Sequence, residues 1–325
     1  MNAATDVLPG VTPAAGFGRR LLPPGDPLEG AAFDAVFEQK IKPGLVRCEA
    51  ERRGAVKTFV LALCAAAMLA FLELALWPKT FPAGRLQAYV IVFSAAAVAA
   101  LGYVPVRKVA REAKLGVIQS LCEPLGVRYA PSCAAAPAFD TFLGLKLLPR
   151  PDGKAFEDLF SGRRGVVDFD LCDATLTQGS GKNRRTVFRG QLIRLTLPRR
   201  RLSTTVVLRN SGWLARFECP AGLRAVGLEG PVFNKAFAVF GSDQVEAREI
   251  LTPTFMQKLV DLESAYAGKH LRYAFTDAEL LIAVEGGDRF EIGGMFTTLV
   301  DRARVEGVAQ DLEQVFELID EAVPA

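Results

Sequence analysis

The sequence predicts an α+β protein: an N-terminal transmembrane helical hairpin followed by a cytoplasmic antiparallel α+β domain. Three observations carry this. Two long apolar runs stand close together near the N-terminus, Val56–Trp77 and Leu86–Val106. A short turn-rich connection, WPKTFPAGRL, separates them. Beyond residue 107, short β-branched and aromatic segments come in groups broken by helical stretches, not in βαβ alternation.

Half of the 325 residues are hydrophobic (50%), and the mean hydropathy is +0.21. Such a value places apolar sequence in concentrated stretches. At 1.5 Å per residue, about 20 residues cross the ~30 Å hydrocarbon core, so both runs are long enough. Lys57 begins the first run and can snorkel to water. Pro78, Pro82 and Gly84 leave the connection able only to reverse the chain. Arg47, Arg52, Arg53 and Lys57 precede the hairpin, and Arg107, Lys108, Arg111 and Lys114 follow it, against only Lys79 and Arg85 in the connection. The excess of basic residues on both flanks places both termini in the cytoplasm and the chain in the cell inner membrane. The alternative is a buried helical hairpin of a soluble protein, since CAAAMLA and SAAAVAA are only moderately apolar. Small residues from Ala95 to Gly102 would let the two helices approach closely. Glu73 is the acid in the first run. An ionisable group there is either a functional residue or a carboxylate at the outer interface beside Trp77 and Lys79, and its place near the run's end favours the second.

The organisation read from this is a disordered tail (1–30), a cytoplasmic amphipathic helix (31–55), the hairpin (56–106) and the α+β domain (107–325), led by a helix continuing from the second span. Residues 1–30 are rich in Pro, Gly and Ala and contain no apolar core of a signal peptide. Phe33–Arg53 reads as a helix with a break at Pro43-Gly44, and Phe33, Val36, Phe37 and Ile41 form a stripe suited to packing on the domain or lying on the bilayer. After Pro105 the helix should run on, its basic first turns beside the headgroups. GVRYA is a strand, and PAFDTFLGLKLL is short helix or extended chain. FEDLFSG ends in a turn. GVVDFDLCDATLTQ, TVFRGQLIRLTL, STTVVLRN and WLARFECP read as strands, with QGSGKNRR as a polar hairpin loop. Asp243 with Glu246 caps a helix that Thr252-Pro253 restarts. Two strands, LRYAF and ELLIAVE, follow, and Met295–Ala322 forms a final amphipathic helix.

The stretch FNKAFAVFGSDQVEAREILTPTFMQKLVDL (Phe233–Leu262) carries a recognisable pattern. With FEDLFSGRRG, TVFRGQLIRLTLP, VEGGDRFEIGGMF and the two-span start, it resembles the bacterial two-span membrane-protein family known only as domain of unknown function 3137. That resemblance supports the topology and implies no activity, cofactor or catalytic residue.

Composition excludes several chemistries. The six cysteines are scattered without a CxxC pair, which suits a reducing cytoplasm rather than a disulfide framework. His270 is the single histidine; it has no second imidazole for a metal site and is expected in an exposed turn. Asp168-Phe169-Asp170 resembles a metal-binding DxD, yet the short run before it suits a half-buried strand with both acids outward. Gly179-Ser180-Gly181-Lys182 lacks the first glycine and the final hydroxyl of a phosphate loop. No cofactor, metal or catalytic residue is therefore assigned. An enzyme of unrecognised class would need a pocket gathering Asp168, Asp170 or Glu291 with an arginine. A role as an accessory subunit of a membrane assembly would need oligomerisation.

With a net charge of +3, attraction to anions must be local. Lys182, Arg184 and Arg185 in the hairpin loop, and Arg199, Arg200 and Arg201 beyond the next strand, are the candidate contacts for anionic lipid headgroups or another anion; the alternative is a solubilising loop. Nucleic acid is excluded, because the aromatics of a single-strand binder are too few there. The expected partners are the bilayer, its anionic headgroups and an unidentified protein. The expected function is that of a binding or scaffold module.

Overall fold

The computed structural model describes residues 30–76, 84–198, 200–210, 219–265, 270–287, 290 and 297–322. Its class is α+β: long apolar helices at the N-terminus and an antiparallel sheet domain.

The first helical stretch comprises α1 (Gly30–Val36), a π turn (Phe37–Ile41) and α2 (Lys42–Leu76), without the expected break at Pro43-Gly44. Proline removes one donor and crowds the carbonyl four residues back. The π turn absorbs this: the Lys42 N–H donates to the Phe37 carbonyl, five residues back, and the helix passes through Pro43 at the start of α2. The second helix, α3 (Arg85–Leu125), is 41 residues long and contains Pro105 and Pro124. It ends on Gly126 at φ 66°, where the Val127 N–H reaches the Cys122 carbonyl and the Gly126 N–H reaches Glu123.

α2 and α3 run antiparallel. Phe59 meets Tyr103 with ring centroids 5.6 Å apart, and Lys40 pairs with Glu123 at 2.6 Å. Gly102 sets the close approach: a Cβ there would lie 2.3 Å from Ala62 Cβ. In a cysteine-free background, Phe59→Cys and Tyr103→Cys should cross-link readily. Adding Gly102→Leu should lower that yield severalfold by forcing the helices apart.

Glu73 accepts a hydrogen bond from Ser94 Oγ at 2.9 Å, across the helix pair. The carboxylate is thus part of the interhelical contact; Trp77 and Lys79, its expected neighbours, lie outside the described residues. The helices are long and apolar enough to cross a membrane, and their apolar stretches are only 6% and 11% buried.

Among the described residues the sheet has nine antiparallel strands in the order β1-β2-β3-β4-β9-β8-β5-β7-β6. They are β1 (Arg128–Ser132), β2 (Gly153–Arg164), β3 (Val167–Gln178), β4 (Arg185–Thr196), β5 (Thr205–Arg209), β6 (Arg224–Ala225), β7 (Phe237–Gly241), β8 (Leu271–Thr276) and β9 (Glu279–Glu285). Helix α4 (Phe139–Gly144) follows β1, α5 (Pro231–Ala236) precedes β7, and α6 (Gln244–Ile250) and α7 (Pro253–Ala265) come before β8; α8 (Arg302–Ala322) closes the chain. FEDLFSG does not end in a turn: it lies within β2, which bulges at Asp158 (φ 51°) and turns only at Gly165. Of WLARFECP, residues 213–218 lie outside the described set, while Cys219 and Pro220 are not in a strand. β7 takes up the apolar run Phe237–Phe240 just before the Asp243 cap, and pairing with β5 makes it extended.

Alternation along β3 shows how the two cores are divided. Val167, Phe169 and Leu171 enter one core, while Cys172, Ala174 and Leu176 enter the core on the opposite face. The first core includes Phe33, Phe37, Ile41 and Leu45 of the N-terminal stretch and Val305, Val308 and Leu312 of α8. So the Phe33–Ile41 stripe is buried within the protein. α4 and its flanks cover the second face through Phe139, Phe142, Leu147 and Leu148. β9 is buried from Leu280 to Val284 because both its faces are covered, which explains an apolar run without alternation.

Ion pairs fasten the helices to the sheet. Lys114 donates to Asp158 at 2.7 Å, and Tyr129 donates to the same carboxylate at 2.6 Å. Burial, then this hydrogen bond, pushes the Tyr129 hydroxyl well above its ordinary pKa. Lys114, the last of the basic residues that follow the second run, is held against the sheet by this buried carboxylate. Arg164 grips Asp320 of α8 through two contacts, at 2.7 and 2.6 Å, and lies over the Phe316 ring.

Candidate functional site

The described residues form an open cleft where β4 outruns β9. Pairing between these strands stops at Gly190–Glu285, but β4 continues along β3 to Arg185. One edge of Thr186–Arg189 is therefore left unpaired by β9. His270, Glu285 and Gly286 form the opposite wall of a cleft of about 360 Å³. Gly286 N–H to Arg189 O (2.9 Å) and Glu285 N–H to His270 O (3.1 Å) close its floor.

The charges around the cleft are largely matched to one another. Arg272 pairs with Glu285 and donates to the Leu147 carbonyl at 3.1 Å. Glu285 Oε2 lies 3.9 Å from His270 Nε2, and Arg209 Nη1 lies 2.5 Å from His270 Nδ1. A guanidinium can only donate, so that ring nitrogen accepts. Glu263 accepts from the Leu271 N–H at 3.1 Å, and burial raises its carboxyl pKa. The lining therefore carries one arginine (Arg189), one hydroxyl (Thr186), one imidazole and one carboxylate already held by Arg272. His270 sits in this cleft, half-buried, rather than in a free exposed turn.

Asp168 and Asp170 are elsewhere. Their strand has Phe169 and Leu171 buried, with Asp168 exposed and 3.8 Å from Arg163. Asp170 accepts from Ser161 Oγ at 2.7 Å and lies 3.3 Å from Arg194, which also binds Glu279. This network is a row of cross-strand pairs on an open sheet face. Glu291 lies outside the described residues. Among the described residues no group of three His, Cys, Asp or Glu side chains could hold a metal ion. The cysteines are free thiols; Cys133 and Cys172 touch, with 3.3 Å between their sulfurs.

The two basic groups are at opposite ends of β4, ~40 Å apart at ~3.3 Å per residue. Lys182, Arg184 and Arg185 are exposed at the β3–β4 hairpin, which turns through Gly179 (φ 82°) and a 3₁₀ turn at Gly181–Asn183. Their contacts are to neutral oxygens: Arg184 Nε to Thr177 Oγ1 at 3.3 Å, and Arg185 Nη2 to Gln178 Oε1 at 3.4 Å. At the other end Arg200 pairs with Asp277 at 3.0 Å, the Arg201 backbone N–H is bound by the Asp277 carbonyl, and Arg199 lies outside the described residues. The cleft escapes sequence reasoning because nothing local in Thr186–Arg189 or Glu285-Gly286 announces that β4 and β9 are neighbours. The faint signals are the glycine within β4 and the Gly286-Gly287 pair ending β9.

Residues 186–322 match the family described as a protein of unknown function, DUF3137. No curated protein matches the chain. Among solved structures, the chain is similar to the crystal structure of the mycobacterial trehalose monomycolate transport factor A, with a TM-score of 0.30 and 12% identity, covering 64% of this chain and 94% of that one.

Proposed function

We propose that this protein is anchored in the bacterial inner membrane by the α2–α3 hairpin and holds its sheet domain on the cytoplasmic side as a binding or scaffold module. The observation that carries this is the exposure of the apolar stretches. A core helix of a soluble protein buries its apolar residues, whereas Leu61, Met68, Phe71, Phe93 and Leu101 are each about 70% exposed. Exposed apolar surface on that scale is covered by lipid or by another protein. Both stretches have the length of a hydrocarbon core, and their backbone groups are satisfied within each helix, as lipid demands. The basic residues flanking the pair support cytoplasmic termini.

The domain fits a module better than an enzyme. Its cleft is open, and the acid and bases there are engaged with one another. Membranes carrying the native chain should retain it through alkaline carbonate and release it only with detergent. A reporter fused after Ala325 should be active only in the cytoplasm. Recovery of the intact chain in the aqueous supernatant, or a reporter active outside the cytoplasm, would sink this reading.

A further inference from the structure

We propose that the β3–β4 hairpin docks on anionic phospholipid headgroups of the leaflet from which the helical pair emerges, giving the domain a second point of attachment. This rests on the membrane-anchored reading above.

The chain path sets the direction. α3 delivers the chain through Gly126 to β1, whose Arg128 pairs with Ser161 of β2. Lys114, eleven residues before the end of α3 at Leu125, binds Asp158. Moving back along α3 toward its apolar stretch is therefore moving along β2 from Ser161 through Asp158 toward Gly153. Gly153 pairs with Thr177, and the hairpin begins just beyond it. Arg184 folds over this same corner, its guanidinium 2.7 Å from where a Gly153 Cβ would stand. The hairpin and the apolar helices thus lead off in the same sense, and exposed Arg107, Lys108 and Arg111 mark the level where α3 leaves its apolar stretch.

Charge separates the two ends of the sheet. At the far end the cations face acids: Arg200 has Asp277, Arg194 has Asp170 and Glu279, and Arg164 has Asp320. At the hairpin, Arg184 and Arg185 touch neutral oxygens, so their charge is unspent. The nearby carboxylate, Asp152, is turned to the Gly179 N–H at 2.7 Å and shapes the turn. Each basic residue near an anionic surface favours contact by about fivefold, and the attraction fades within ~8 Å at physiological salt. A hairpin far from the surface would gain nothing from these charges.

The test uses the full chain in nanodiscs of phosphatidylcholine alone or of phosphatidylcholine with phosphatidylglycerol. Amide hydrogen exchange of the hairpin, residues 178–186, should slow by about tenfold in the anionic discs and return to the zwitterionic rate at high salt. The triple variant Lys182→Glu, Arg184→Glu, Arg185→Glu should abolish the difference, while Arg200→Glu should leave it intact. Equal exchange in both lipids, or protection that survives charge reversal, would overturn the proposal. So would equal protection by inorganic phosphate in zwitterionic discs, which would assign the site to a free anion. A chain that never enters the discs overturns the anchored reading as well; a chain that enters without lipid-dependent protection overturns only the docking.

Discussion

Replacing Glu49 with alanine is expected to cost about 3 kcal/mol of stability, measured by denaturant unfolding in mild detergent. Glu49 is 6% exposed, yet it is charged. Arg52 reaches it at 2.8 Å, Arg53 at 3.2 Å, and the Leu299 backbone N–H donates to it at 3.1 Å. One carboxylate therefore joins α2 to the segment entering α8. Alanine takes this charged acceptor away from the poorly exposed Arg52 and leaves the buried Leu299 N–H without its bond. Arg53 contributes little, because it is mostly in water. Glu49→Gln keeps an acceptor and should lose about 1–2 kcal/mol.

The same residue sets an acid dependence. The Arg52 hydrogen bond, opposed by burial and aided by Leu299 N–H and Arg53, holds the Glu49 carboxyl at about 2 against an ordinary 4.5. A pKa depressed on folding stabilises above the unfolded value and stops doing so as pH falls through the folded one. The stability gap between the native chain and Glu49→Gln should be full above pH 4.5 and close as pH falls toward about 2. A gap that is flat across that window would remove the carboxylate's charge from the account.

Gly190→Ala should destabilise the domain by about 3 kcal/mol or prevent its accumulation. Its Cβ would stand 2.0 Å from the Val284 carbonyl oxygen and 3.0 Å from Glu285 Cα. Both are backbone atoms of the paired strand, so no side-chain rotation relieves the clash. Separation of β4 from β9 would open the junction between the β1–β4 meander and the remaining five strands. Gly165→Ala is the control at another glycine: nothing lies within 4 Å of its Cβ position, and only its φ of 57° is unfavourable, so about 1 kcal/mol is expected. Equal losses in the two variants would show that close approach is not what Gly190 provides.

The sequence was most legible where the physical signal is local. Asp243 accepts from the Val245 and Glu246 N–H groups at 2.7 and 3.2 Å, as its place before a helix implies. β3 alternates as its residues suggest, with Phe169 and Leu171 in and Asp168 out. Reading failed where a partner overrides a local preference. Pro43 reads as a break, but the π turn that ends two residues before it lets the helix continue. The Phe237–Phe240 run has no period of its own and is a strand because β5 pairs with it. Nothing near Lys114 in the chain announces its partner, because Asp158 is 44 positions away.

The amino-acid order by itself determined the α+β class, the two apolar helices and most strand positions, since periodicity and capping act over a few residues. Only the tertiary structure decided the strand order, the cleft beside His270, and which arginines keep a free charge. These depend on pairs such as Arg194–Glu279 and Arg164–Asp320, whose members are 85 and 156 positions apart. No local pattern encodes a partner at that distance, because an ion pair leaves no periodicity in the chain.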